Sequence, residues 1–457
     1  MSLRSRLGRL PAAGPAPAFA TPLAPAPVPA PAPAPVAAPA ALAAAAPSIL
    51  DDLRARMDAI LAKHAEAPRH VPAVDVPELP FCVEETAQGP LHVRTLRLSG
   101  AHRVGRAPVT AARRASSELL ALLALDPSLA RADVERALYL DTETTGLGPG
   151  AGTVAFLVGL AFFDDDYGLV VEQLLVRQLA EEAPVLARVK ERIERASMLV
   201  TFNGKSFDMP VLRTRFVMGR TPFPVEPAHL DLVHVARRLH KSRGLGSRLG
   251  TVEREVLGFV RENDVPSGEV SQCYLHFLRT GDTRALLGVI DHNAWDVVSM
   301  AAMVGLYGEP LEGTQLEAED LVGVARTLKR AGRADEAFAV VEKACERGAG
   351  TTGIRARAEI AKARGDKARA LADFETLAKD VDDPAVRLEL AKLYEHHAKD
   401  AARALALVES GTGEAEDRRA HRAARLAKKV GRDKQRAGER EAGEGGNAGK
   451  GATGKLW

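Results

Sequence analysis

Cysteine is scarce. Cys82, Cys273 and Cys345 stand far apart in 457 residues and no Cys-x-x-Cys occurs, which argues against a disulfide framework or thiolate zinc site and fits a reducing compartment. Aromatic residues make up only 4%. Beside abundant Ala and Arg, that scarcity reflects a GC-rich coding background more than a function. No apolar run approaches the length of a membrane span. A large excess of one charge is also missing. The net charge of +2 excludes a polycation, so any nucleic-acid contact must come from local patches. The opening MSLRSRLGRL is basic, but prolines from Pro11 onward interrupt any signal-peptide core. The expected location is cytoplasmic, without a membrane partner.

The length exceeds what one core usually holds, and the apolar fraction of 46% allows sizeable cores. Residues 1–47 are largely Ala and Pro from Pro11 onward and read as a disordered, semi-rigid tether. Residues 48–137 form an accessory region: a helix over Ser48–His64, a hairpin between Pro80 and Val109, and helices over Ser116–Leu125 and Arg131–Ala137. Between 138 and 310, three strands (from Leu138, Thr153–Phe163, Leu169–Val176) precede helix Pro184–Arg195, strand Met198–Phe202 and helix Pro210–Met218. This order predicts an α/β domain, a mixed sheet flanked by helices. Residues 315–432 are helical and repetitive. Ala325, Gly332 and Ala337 recur as Ala358, Gly365 and Ala370, and a third copy, Ala391 and Ala404, carries one inserted residue. Val341, Phe374 and Val408 hold the matching apolar position. The spacing resembles tetratricopeptide repeats and predicts an all-α helical-repeat domain open to a protein partner. A basic helix over Arg418–Lys429 and a disordered tail over 433–457 close the chain.

The residues suited to chemistry are acids. In Leu138-Tyr-Leu-Asp-Thr-Glu-Thr-Thr-Gly-Leu147, strand alternation puts Leu138 and Leu140 on one face and Asp141 and Glu143 on the other. The two carboxylates are then roughly 6–7 Å apart along the backbone, close enough to grip hard cations. An Asp-x-Glu pair alone is more often an exposed strand end. Asp208 precedes a helix, where an Asp is usually a cap. His292 and Asp296, four residues apart, share a helix face at the opening of an apolar helix.

Together these stretches resemble a known family. Asp141-Thr-Glu143, Asn203 with Phe207-Asp208, and His292 with Asp296 are similar in order to the three exonuclease motifs of the DEDD superfamily, and the surrounding residues resemble YprB-like proteins with an RNase H-like domain. The second likeness is carried by Gly150-Ala-Gly-Thr-Val-Ala-Phe156, Asp231-Leu-Val-His-Val-Ala-Arg-Arg-Leu239 and Gly250-Thr-Val-Glu-Arg-Glu-Val-Leu-Gly258. The resemblance implies an RNase H-like fold and a metal-dependent 3′–5′ exonuclease acting on DNA or RNA. It implies two divalent cations, Mg²⁺ or Mn²⁺, held by Asp141, Glu143, Asp208 and Asp296, with Asp141 bridging both. Thr144, Thr145, Leu147 and Asn203 would then seat the terminal nucleotide. One branch of the superfamily carries a His five residues before the last acid and another a Tyr four before it. Here a His has the Tyr spacing and Asp291 holds the fifth position, and His292 is the favoured general base.

Such acids suit phosphodiester hydrolysis, because carboxylates can hold two oxygen-loving cations about 3.5–4 Å apart around a poor leaving group. A basic cluster, Arg237, Arg238, His240, Lys241, Arg243 and Arg248, is expected to meet the phosphate backbone, with Arg237 and Arg238 foremost. Two other readings stay open: a helical-repeat scaffold or nucleic-acid-binding protein with an inactive nuclease fold, and a structure-specific endonuclease.

Overall fold

The computed structural model describes residues 77–146, 150–164 and 168–445. The Ala/Pro tether, the helix expected at 48–64, Leu147 and the chain beyond 445 lie outside the described residues. Seven strands make one sheet: β1 (Cys82–Thr86), β2 (Gly89–Leu98), β3 (Ala137–Thr144), β4 (Ala155–Phe163), β5 (Leu169–Leu175), β6 (Met198–Thr201) and β7 (Ala228–Asp231). Their spatial order is β1-β2-β5-β4-β3-β6-β7. The first five pair antiparallel, whereas β6 and β7 run parallel to β3. This is the mixed sheet expected from the strand order. The hairpin before residue 138, read as accessory, forms the edge of this same sheet by pairing β2 with β5.

The helices between strands are α1 (Ser117–Ala124), α2 (Glu182–Arg195) and α3 (Asp208–Met218). After β7 come α4 (Leu232–Leu239), α5 (Leu249–Val252), which runs into a π-turn at Glu253–Leu257, then α6 (Val270–Thr280) and α7 (Arg284–Tyr307). Alternation along β3 sorts the core. Leu138 and Leu140 join Leu160, Leu199, Val189, Ile193, Leu212 and Phe216 beneath α2 and α3. Tyr139, with Ala161, Val171, Met198 and Val200, joins the core that contains Val297, Met300 and Val304 of α7. Burying one such large apolar side chain contributes about 1.5–3 kcal/mol, so both faces of β3 are fixed and its acids cannot slip in register.

Local structure departs from expectation at three points. Residues 131–137 are not helical: two 3₁₀ turns, Pro127–Arg131 and Val134–Arg136, start where the Asp126 and Asp133 side chains accept the backbone N–H of Ser128 and Glu135. Asp208 is the first residue of α3 rather than a residue before it. The helix carrying His292 and Asp296 does not open at Asp291. It begins at Arg284, so that motif sits mid-helix.

Beyond α7 the chain is helical: α8 (Ala318–Arg330), α9 (Ala334–Glu346), α10 (Gly350–Arg364), α11 (Lys367–Asp380), α12 (Pro384–Leu393), α13 (Ala401–Glu409) and α14 (Glu416–Gly445). The basic helix thus continues past residue 433, where the tail was expected to begin. Ala325, Ala337, Ala358, Ala370, Ala391 and Ala404 are all buried. Gly332 and Gly365 end α8 and α10 in the left-handed region, at φ 81° and 88°. In the third copy a π-turn, Tyr394–Ala398, absorbs the inserted residue and puts Lys399 at φ 58° where the earlier copies have glycine. A lysine is strained there by about 1 kcal/mol. Lys399→Gly is therefore expected to stabilise the protein by about that amount in urea unfolding.

The C-terminal helices dock on the residues after the sheet through buried polar groups. His240 shares one ring nitrogen with Asp320 of α8 (2.8 Å) and the other with the Tyr307 hydroxyl (2.7 Å), and Arg243 donates to the same Asp320 (3.1 Å). Among the described residues, no helix is long and apolar enough to cross a membrane.

Candidate active site

Asp141 and Glu143 leave β3 on the α7 face, in line with buried Tyr139. Between them Thr142 points to the opposite face. There its backbone N–H (3.0 Å) and hydroxyl (2.6 Å) both donate to Asp208. This ties the first turn of α3 to the strand that carries the other acids. The β6–α3 turn is shaped for that placement. Asn203 sits at φ 71°, and a Cβ on Gly204 would lie 2.5 Å from the Thr201 side chain. Asp231 at the end of β7 accepts the N–H groups of Asn203 (2.7 Å), Lys205 (3.1 Å) and Val233 (3.2 Å), locking the turn against α4.

From the other side α7 contributes His292, Asn293 and Asp296. The donor atoms of Glu143, His292 and Asp296 all lie within 4.8 Å of one another. His292 Nε2 is 3.5 Å from Asp296 and 3.9 Å from Glu143, while its Nδ1 is 2.6 Å from Asp264. Asp291 turns away and pairs with Arg94 on β2 (3.0 Å). The histidine four residues before Asp296 is therefore the one that meets the acids.

Three residues at this site had not been singled out from the sequence. Asn293 is fully buried and donates from Nδ2 to Asp141 (2.9 Å), while its carbonyl accepts from Gln173 (2.9 Å). It fits because Gly159 lies opposite Asp141 in β4, where a Cβ would come 2.3 Å from the Asn293 side chain. A glycine inside the apolar run of β4 was the available signal. Asp264 and Arg261 come from the loop after α5. Gly258 turns this loop at φ 70°, and Phe259 holds it against Trp295 of α7, with ring centroids 5.1 Å apart. Arg261 donates to both oxygens of Glu253 (2.6 and 2.9 Å) and to Asp296. Its sequence context, Arg-Glu-Asn-Asp, looks like an ordinary solvated loop.

Burial and mutual repulsion dominate the electrostatics. Desolvation, then Asp296, Asp208 and Glu143, push the Asp141 carboxyl well above the usual carboxylate range. Burial and Asp296 raise Glu143 to about 8. Burial raises Asp208 to about 6 although the Thr142 hydrogen bonds oppose it. Burial works against a charged His292, but the Asp296 and Glu143 carboxylates and the Asp264 hydrogen bond outweigh it and raise its pKa. Four acids packed this way are short of positive charge, and their oxygens are the donor set of a hard divalent cation.

These groups open on a cleft of about 1060 Å³. Phe202, Phe207 and Phe259 give it aromatic wall, and Asn203, Arg237 and Arg248 also line it. No hydrogen bond or ion pair engages the side chain of Arg237 or of Arg248 among the described residues. Arg238 does not line the cleft, contrary to expectation. Its guanidinium donates to the Leu123 and Ala124 carbonyls (2.8–3.1 Å), neutralising the C-terminal end of α1. His240 and Arg243 are likewise occupied by Asp320. Thr144 and Thr145 do not line the cleft either. The Thr144 hydroxyl donates to the Gly146 carbonyl (2.7 Å), and that of Thr145 accepts from Val154 N–H (3.0 Å), closing the turn after β3.

Residues 138–307 match the RNase_H_2 family of the RNase_H superfamily. Over 288 residues, 61% of this chain and 69% of the other, the sequence is 32% identical to the Bacillus subtilis (strain 168) protein YprB. An RNase H-like fold is a nuclease fold: it implies a nucleic-acid substrate, hydrolysis of phosphodiester bonds and, typically, divalent ions.

Proposed function

We propose that this chain, which belongs with YprB to the RNase H superfamily, is a two-metal-ion 3′–5′ exonuclease of the DEDD type acting on DNA or RNA. One observation carries the reading. Asp141, Glu143, Asp208 and Asp296 converge from three separate stretches on one cleft, where burial first and mutual repulsion second hold protons on Asp141 and Glu143 that would otherwise be ionised. These four acids would hold Mg²⁺ or Mn²⁺. When bound, such ions sharpen an attacking water and stabilise the departing 3′ oxygen.

The chain's own residues do the rest. Asn293 and Thr142 fix the rotamers of Asp141 and Asp208. His292, held through Nδ1 by Asp264, presents Nε2 beside Glu143 and Asp296, where it can take the proton of a water. Phe202, Phe207 and Phe259 offer faces on which bases of a single strand can stack. The helical repeats, latched to this domain at Asp320, offer a surface for a protein partner.

Arg237 and Arg248 are assigned to the phosphate backbone. Arg237→Ala and Arg248→Ala should each flatten the salt dependence of binding by about 0.7 in log–log slope. Arg238→Ala should leave that slope alone and instead lower the melting temperature, because α1 loses its cap. Reversed behaviour of Arg237 and Arg238 would remove the assignment.

Polarity and substrate are tested with 5′-labelled and 3′-labelled DNA and RNA digested side by side in Mg²⁺ and in Mn²⁺. A 3′–5′ exonuclease gives a descending ladder from the 5′ label and immediate release of a mononucleotide from the 3′ label. Discrete internal fragments would instead show structure-specific endonucleolytic cleavage. Intact substrate under every condition would show an inactive fold.

A further inference from the structure

Arg261 is an unusual presence in a cluster of metal-seeking acids. Its side chain is only 7% exposed, and a buried guanidinium needs partners for all its N–H groups. Nε and Nη2 have them, in Glu253 and Asp296. Nη1 is only weakly held: it makes one long hydrogen bond, to the His292 carbonyl (3.4 Å), with His292 Nδ1 at 3.3 Å and Asp264 at 3.9 Å. Because His292 Nδ1 lies 2.6 Å from the Asp264 carboxylate, that nitrogen carries the shared proton and cannot also accept from Nη1. The weakly held Nη1 belongs to a residue lining the cleft, beside the acids where a reacting phosphate has to sit.

We propose that Arg261 is a catalytic residue: its guanidinium contacts the scissile phosphate through Nη1 and stabilises the charge that develops there. This rests on the nuclease reading above. The support is chemical and mechanical. Two divalent ions would only balance the four carboxylates, and a fixed planar cation beside them supplies further positive charge for the negative charge that develops on the phosphate. Glu253, itself 1% exposed, clamps the guanidinium, and Phe259 on Trp295 fixes the loop. The donor is therefore oriented before substrate arrives, which is where electrostatic stabilisation gains most. The fork geometry also suits an arginine, since Nε and Nη2 hold both oxygens of Glu253 while Nη1 points elsewhere, a span that the single nitrogen of a lysine does not have.

The test uses the full chain, single-turnover cleavage of a labelled oligonucleotide at saturating Mn²⁺, and calorimetric Mn²⁺ binding on the same samples. Arg261→Ala should slow cleavage on the order of 100-fold and bind Mn²⁺ no more weakly than the parent, and guanidinium ion added to the buffer should recover part of the rate. Arg261→Ala combined with Glu253→Gln, which removes the buried charge that Arg261 clamps at Glu253, should behave alike and covers the case in which the single variant does not fold. An undiminished rate would overturn the proposal. So would a rate loss that higher Mn²⁺ restores, which would make Arg261 only a support for Asp296. Asp141→Asn runs beside these as the check on the nuclease reading. If it cleaves normally that reading fails, whereas a dead Asp141→Asn with a normal Arg261→Ala removes only the role of Arg261.

Discussion

Asp141→Asn should lose metal-dependent cleavage by about a thousandfold or more and, without metal, should melt at a higher temperature than the parent. Loss of a central ligand removes several kcal/mol of transition-state stabilisation, at 1.36 kcal/mol per factor of ten. The stability change has the opposite sign because Asp141 is crowded by Asp296, Asp208 and Glu143 in the metal-free protein. An amide keeps the volume and can still accept from Asn293 while carrying no charge. Relief of about 1 kcal/mol corresponds to a gain of about 2 °C. Asp291→Asn, on the same face of the sheet but paired with Arg94 at the surface, should do neither. A cleavage assay beside a thermal melt in EDTA checks both halves.

Metal-free protein should also lose stability as the pH rises from about 4.5 to 8. The sign follows from Glu143, whose folded pKa of about 8 lies above its ordinary 4.5. Between those values the folded state binds the extra proton. The stability it contributes is complete below 4.5 and is lost progressively as the pH climbs through 8. Asp208, raised from 3.8 to about 6, adds a loss of the same sign at the acid end of that window. At 1.36 kcal/mol per unit, Glu143 alone makes the effect several kcal/mol. Saturating Mn²⁺ should cancel most of it, since a ligand at 100 times its dissociation constant stabilises by about 2.7 kcal/mol. Urea unfolding at pH 5, 6.5 and 8, with and without Mn²⁺, measures this directly. A metal-free protein that gains stability toward pH 8 would contradict the electrostatics.

The sequence made the centre of this site legible and its rim illegible, for a physical reason. Strand alternation is local, so the faces of Leu138, Leu140, Asp141 and Glu143 could be read from four residues. The resemblance to the DEDD motif order then brought in Asp208 and Asp296. The small-residue repeat was equally readable, down to the inserted residue that becomes the π-turn before Lys399. Arg261 and Asp264 were not legible, because their placement beside α7 depends on Gly258 and on Phe259 meeting Trp295, a contact between distant segments. Arg238 failed for the same reason. A cation at the end of a helix looks free in sequence, and nothing local reveals that the carbonyls of α1 end beside it.

The central claim is that the four acids form a two-cation site. Calorimetric titration of the metal-free chain with Mn²⁺ at pH 7 tests it most directly. The account predicts two ions bound per chain with release of protons, because the ions displace those held on Glu143 and its neighbours, and it predicts that Asp141→Asn abolishes this binding. No saturable binding, or equal binding by Asp141→Asn, would contradict it.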